Sequence, residues 1–220
     1  MVTSGSGPAG WALLAVVLVL AIRAGRARVA TTGSIPRAAV CMWAVVAVPS
    51  LLQIAVPVLL DAFERDPALI RDGQWWRIVT SVAVQDGGLV GTAVNLAALA
   101  IVAPVAVRFW GAWRAAALFV LGQAIFDLFT AFVFPSTGAG NSAATLALAA
   151  SMVGMVVTAH TSRRELWLAA GVILSGVFLI GLGDAHGLAV LTGAMLGAAL
   201  ATVSPPVDQR AFSERVGTGL

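Results

Sequence analysis

Seven stretches of the chain run almost without charge, at about residues 9–23, 38–60, 88–107, 113–134, 141–160, 166–182 and 185–203. About 20 helical residues are needed to cross roughly 30 Å of hydrocarbon, so six of these runs are suited to spanning a bilayer and the first is the short one. An open sheet leaves backbone groups unsatisfied in lipid, so all seven are expected as helices. Composition agrees: 60% of the 220 residues are hydrophobic, 10% are charged, and the mean hydropathy is +0.96. The expected fold class is an all-α, polytopic membrane helical bundle, with short connections between most helices. No basic residues precede the first run (AGWALLAVVLVLAIR) and no small-x-small cleavage site follows it, so it reads as a retained anchor and not a secretory signal.

The basic residues set the expected orientation. All 13 are arginines, and they gather in alternate connections: Arg23, Arg26, Arg28 and Arg37, then Arg108 and Arg114, then Arg163 and Arg164. The loop from 61 to 87 instead carries Asp61, Glu64, Asp66, Asp72 and Asp86 beside Arg65, Arg71 and Arg77. The positive-inside rule then puts the N-terminus and the acidic loop outside and the C-terminus in the cytoplasm, most simply across a bacterial plasma membrane. A net charge of +3 brings nucleic acid to mind, but the arginines form no basic face with interleaved aromatics, so no nucleic-acid partner is expected. Cys41 is the single cysteine and forms no internal disulfide. The segment 204–220 reads as a polar cytoplasmic tail.

Polar residues inside a span are functional candidates because they need a partner or water there. Four stand out: Asn95, Asp127, Ser142 and His186. Ser142 and His186 begin helices that enter from the same side, and Asn95 lies five to seven residues into another, so the three share a layer about 10 Å below that surface. Gly193 and Gly197 follow His186 on one helix face, and Ala143, Ala147, Ala150 and Gly154 follow Ser142 as a matching strip of small residues. Close packing of those faces would bring a hydroxyl against an imidazole, the minimum geometry of a nucleophile and its general base. Each residue also has a structural reading, Ser as a helix cap or packing residue and His as an interfacial side chain, and spacing alone leaves both open. Asp184, two positions before His186, is expected about 200° round a helix from it and unable to orient the ring. Asp127 is expected to pair with Gln123 or to be protonated, with a polar-lining role as the weaker alternative. His160, beside Arg163 and Arg164, is expected in solvent on the opposite side.

Three segments, in order, carry a resemblance to a known family. GQWWRIVTS (73–81), GNSAATLALAA (140–150) and DAHGLAVLTGAMLG (184–197) resemble the motifs of the rhomboid intramembrane serine proteases. The likeness covers about 38–203, which implies a six-helix core preceded by an anchor and basic loop (1–37) and followed by the tail (204–220). It implies Ser142 as nucleophile, His186 as general base and Asn95 as an oxyanion-hole donor, with no cofactor and no metal. The implied function is a serine endopeptidase acting by a Ser-His dyad on a transmembrane segment of a single-pass or polytopic membrane protein within the lipid bilayer. The likeness also implies that Trp75, Trp76 and Arg77 belong to a half-immersed loop that shapes the core.

Two positions depart from the pattern: Gly91 stands where the family has a second oxyanion His, and Ala143 stands where it has the last Gly of GxSG. A register centred on Gly140 would leave no nucleophile, whereas the register on Ser142 keeps the small and apolar order that follows. The alternatives are an inactive rhomboid-like protein that binds transmembrane helices, and a small transporter or channel lined by Asp127 and Asn95.

Overall fold

The structure is a computed structural model that describes residues 7–29, 33–157 and 162–204. His160 and nearly all of the 204–220 tail lie outside the described residues. Among the described residues, ten α-helices follow in order: α1 (Gly7–Arg26), α2 (Arg37–Ala55), α3 (Val58–Phe63), α4 (Pro67–Arg71), α5 (Arg77–Thr80), α6 (Gly88–Trp110), α7 (Ala112–Phe132), α8 (Ser142–Gly154), α9 (Arg163–Gly181) and α10 (His186–Val203). Six of them, α1, α2, α6, α7, α9 and α10, are long and apolar enough to cross a membrane. The protein is an all-α polytopic helical bundle and an integral membrane protein.

The short helix differs from the one expected. α1 runs for 20 residues because Arg23 and Arg26 stay in its last turn, where cations suit the helix C-terminus. α8 has only 13 residues, about 20 Å of rise, and a 3-10 turn at Met155–Val157 follows it. It has no need to match the bilayer because it barely meets lipid: every residue from Ala143 to Gly154 is buried. The run at 38–60 also divides, α2 ending at Ala55 and α3 starting after Pro57, a residue that cannot donate to a continuing helix.

Large apolar side chains face outward, as solvation by lipid allows; Trp113 is 82% exposed, Trp167 75% and Val45 72%. Small residues lie inside. A Cβ at Gly193 would strike the backbone of Ala147 and one at Gly197 that of Ser151, while one at Gly154 would strike the backbone of Ala194. α8 and α10 therefore run side by side with backbones nearly touching, the close approach that small-residue faces permit. The glycine face of α10 is as expected, and on α8 the contact runs through Ala147 and Gly154 of the expected strip and through Ser151. On the far side of α8, Gly122 of α7 leaves the space that Ala147 fills.

The connection from 58 to 87 caps one end of the bundle. Arg77, 5% exposed, holds it together by donating from Nη1 to the carbonyls of Asp61 (2.9 Å) and Glu64 (2.8 Å) and from Nε to Gln74 Oε1 (2.8 Å). Trp75 and Trp76 point away from the core, about half exposed, and Trp75 stacks on Phe132 at 5.7 Å. Arg77 of the tryptophan-arginine segment thus supports loop carbonyls, and the tryptophans suit a membrane interface.

Candidate active site

Residues 135–141 lead into α8 as an extended strap fixed at three points. Arg65 and Gly138 exchange both backbone hydrogen bonds (2.9 and 3.1 Å), the Ala139 N–H donates to Asp86 Oδ2 (3.0 Å), and the Gly140 N–H donates to the Ser81 carbonyl (2.9 Å). Gly140 has φ +141°, a conformation that L side chains rarely adopt. A Cβ there would also press on Gln85 Oε1 at 3.1 Å and Asn95 Nδ2 at 3.2 Å, with Ser142 Oγ at 3.9 Å. Glycine is required at 140 because two carboxamides, of Gln85 and Asn95, close on the space it leaves, with the Ser142 hydroxyl beside them.

Ser142 is the first residue of α8, where the helix dipole is positive and backbone N–H groups of the first turn lie free of intrahelical partners. Its Oγ lies 2.9 Å from His186 Nε2. His186 Nδ1 lies 2.7 Å from Asp184 Oδ1. A carboxylate only accepts, so the proton sits on Nδ1, and Nε2 is left as the acceptor for the Ser142 hydroxyl. The ring of His186 is flanked by Phe126, with centroids 6.0 Å apart and planes inclined at 24°.

The expectation for Asp184 is corrected by this geometry. The angular count assumes that the helix extends back through Asp184, but α10 starts at His186 and α9 ends at Gly181, with Gly183 turning the chain at φ +77°. Asp184 lies in the turn between them, 2% exposed, and its Oδ1 also accepts the His186 backbone N–H at 3.0 Å. The signal was present in the sequence as Gly183 followed by Asp184: a helix-ending glycine, then an Asx turn that opens the next helix.

Asn95 lines the same cavity and is held by residues that sequence patterns did not single out. Its Nδ2 donates to Gln85 Oε1 (2.8 Å), and its main-chain carbonyl accepts from Asn141 Nδ2 (3.1 Å). Gln85 Nε2 donates to Asn141 Oδ1 (2.9 Å) and Ser50 Oγ (3.1 Å), and the Gln85 main chain exchanges two bonds with the Gln53 amide at 2.7 Å each. An amide nitrogen carries two hydrogens, so Asn95 has one to direct beyond Gln85. Among the described residues, no buried side-chain nitrogen or oxygen lacks a hydrogen-bond partner.

These groups border a cavity of about 430 Å³ whose wall includes Ser142, His186, Asp184, Asn95, Gly91, Asp86 and Arg65. A Cβ at Gly91 would meet open space. Asp127 is absent from that wall. It is fully buried, and its carboxylate accepts from Arg65 Nη1 (2.5 Å), Ser81 Oγ (2.6 Å) and Gln123 Nε2 (2.9 Å). The expected pairing with Gln123 is present, but so is an ion pair with Arg65, and Asp127 braces α7 to the 58–87 connection instead of lining a passage. The structure thus brings together Ser142, His186 and Asn95, adds Asp184, and sets Asp127 apart. No protein-family model, curated protein or solved structure matches the chain.

Proposed function

We propose that the protein is a rhomboid-type intramembrane serine endopeptidase that cuts a transmembrane segment of another membrane protein. The observation that carries this reading is the aligned series Ser142 Oγ, His186 Nε2, His186 Nδ1 and Asp184 Oδ1, with spacings of 2.9 Å and 2.7 Å, on the wall of a cavity inside an apolar bundle.

In this mechanism, Ser142 Oγ attacks the scissile carbonyl carbon as its proton passes to His186 Nε2. Asp184 fixes the tautomer and steadies the imidazolium. Negative charge develops on the former carbonyl oxygen, where the free N–H of Asn95 and the backbone N–H of Ser142 stabilise it. The intermediate collapses, the C–N bond breaks, and His186 returns its proton to the leaving amine. Water then attacks the acyl carbon as its proton passes to His186, the C–O bond to Ser142 breaks as His186 returns that proton to Ser142 Oγ, and the acid is released. The implied dyad is thereby extended to three groups.

Arginines support the orientation. Arg23, Arg26, Arg108, Arg114, Arg163 and Arg164 all lie at the ends of helices remote from Ser142. Under the positive-inside rule that end is cytoplasmic and the cavity lies near the outer surface, so cleavage falls near the outer end of the substrate's span.

A fluorophosphonate reagent tests the reading. Wild-type protein in detergent or vesicles is expected to be labelled, and Ser142→Ala and His186→Ala to lose labelling while keeping their helical circular dichroism. Well-folded wild type that stays unlabelled overturns the protease and favours the helix-binding alternative.

A further inference from the structure

A carboxamide has two ends of similar size and opposite chemistry, a nitrogen that donates and an oxygen that accepts. Which end Asn95 turns to the cavity therefore decides whether it attracts or repels a developing oxyanion. Gly91, one turn earlier on α6 and on the same wall, brings no side chain that could compensate for the wrong choice.

A relay of amides makes that choice. The end of Asn141 that faces the main-chain carbonyl of Asn95 (3.1 Å) must be nitrogen, because a carbonyl only accepts, and the same nitrogen reaches Thr145 Oγ1 at 2.9 Å. Asn141 is left with its oxygen for Gln85, whose nearer end must then be nitrogen, at 2.9 Å. Ser50 requires the same independently: its hydroxyl hydrogen goes to the Ala83 carbonyl (3.0 Å), so Ser50 Oγ accepts from Gln85 at 3.1 Å. With its nitrogen committed twice, Gln85 turns its oxygen to Asn95, and Asn95 answers with nitrogen at 2.8 Å. Turning Gln85 over would set oxygen against oxygen at Asn141 and nitrogen against nitrogen at Asn95, in a place that is 1% exposed. Gln85 belongs to no helix, yet the Gln53 amide of α2 accepts its main-chain N–H and donates to its carbonyl, at 2.7 Å each.

We propose that Gln85 is a positioning residue that holds the Asn95 amide in the one orientation that presents an N–H, and not its oxygen, to the cavity. Gln85 is absent from the cavity wall and acts through Asn95 alone. The relay starts and ends on one residue: the main-chain carbonyl of Asn95, through Asn141 and Gln85, orients the side chain of Asn95. The donor is thereby set before any charge develops, which is what electrostatic stabilisation of an oxyanion requires. Its value to turnover rests on the proposed protease reading; the orientation itself rests on the amide relay.

The test uses the full chain in detergent, grown with 15N-asparagine. Asn95 and Asn141 are the chain's two asparagines, so the spectrum carries two side-chain NH2 pairs, told apart by Asn95→Ala. In the wild type the two Asn95 hydrogens are expected to differ about tenfold in exchange with water, the one bonded to Gln85 being slower. Gln85→Met keeps the length and removes the polar end; it is expected to bring the two within about twofold, while the Asn141 pair stays in place and reports the fold. Gln85→Asn, which withdraws the same amide by one methylene, gives the reading if the Met variant does not fold. An Asn95 pair that is indifferent to the Gln85 amide overturns the proposal. The rate of fluorophosphonate labelling reads the consequence. Gln85→Met is expected to slow it about tenfold, short of the 10²- to 10³-fold of a lost donor, and the double variant with Asn95→Ala to label no slower than Asn95→Ala alone. Losses that multiply would give Gln85 a route other than Asn95 and overturn the positioning role. An unlabelled wild type with the Asn95 hydrogens held apart strikes the serine chemistry alone, and a labelled wild type whose Asn95 hydrogens exchange alike strikes the positioning alone.

Discussion

Asp127 and Asp184 are both buried carboxylates at the cavity end of the bundle, 0% and 2% exposed, yet they serve different ends. Asp127 accepts from Arg65, Ser81 and Gln123, donors on three separate segments, and adjoins no open space. Asp184 accepts from a ring that has a second nitrogen pointed at a hydroxyl on a cavity wall. A carboxylate whose donors are fixed on all sides locks structure. One whose donor can pass a proton onward is equipped for catalysis. What separates them is the second atom of the donor, not burial or charge.

Asp184→Asn puts this contrast to its hardest test. The amide keeps the shape but no longer selects the Nδ1–H tautomer, and in soluble serine proteases such a change lowers turnover about 10⁴-fold. The same order of loss in hydrolysis of a transmembrane substrate is expected, with the thermal midpoint in detergent nearly unchanged. A loss below about tenfold would return the site to a two-residue arrangement.

Arg65→Met addresses the other carboxylate. It strands Asp127 without its cation, and removal of one partner from a buried pair costs about 3–5 kcal/mol. A clear fall in the unfolding midpoint is expected, together with weaker fixing of the 135–141 strap because Arg65 Nε also donates to the Ser136 carbonyl at 2.9 Å. If Arg65→Met melts with the wild type, the Asp127 cluster is not the brace described above.

Much of this contrast was legible in the sequence, and its gaps have physical causes. The apolar runs located all seven helices of the bundle because lipid imposes a length that composition reports directly, but 9–23 reads as short where α1 has 20 residues. They misjudged α8, since a helix enclosed by others need not match the bilayer and its apolar run continues into a 3-10 turn. Ser142, His186 and Asn95 share a layer because depth follows from counting residues along parallel helices. Counting misplaces Asp184 because it assumes one continuous helix, and the hydrogen bonds that tie Gln85 to Asn141 and Asn95 have no sequence signal because they depend on three-dimensional closure between α2, α6 and α8. The ion pair of Arg65 with Asp127 joins a loop to a helix 62 residues away, a separation that no periodicity encodes.

Asn95→Ala removes the side-chain donor proposed for the oxyanion and leaves the Asp127 cluster intact. Loss of one oxyanion-hole donor commonly lowers turnover about 10²- to 10³-fold, so that drop is expected in kcat, with fluorophosphonate labelling slowed but retained. A change confined to KM would place Asn95 in substrate binding and leave the oxyanion to backbone donors.

Ser81→Ala tests whether the two carboxylate clusters act independently. The hydroxyl of Ser81 donates to Asp127, while its main-chain carbonyl accepts the N–H of Gly140, two residues before Ser142. The substitution deletes the first bond and keeps the second. Asp127 retains Arg65 and Gln123, so the expected cost is small, about 1 kcal/mol of stability, the usual net value of a single hydrogen bond. If the brace is only a brace, turnover stays within about twofold, and the double variant with Asp184→Asn shows additive losses, as distant sites do. A coupling above about 1 kcal/mol in that cycle would mean that the strain of the closed cluster is transmitted through Gly140 to Ser142. The distinction between a locking carboxylate and a catalytic one would then describe two ends of a single device.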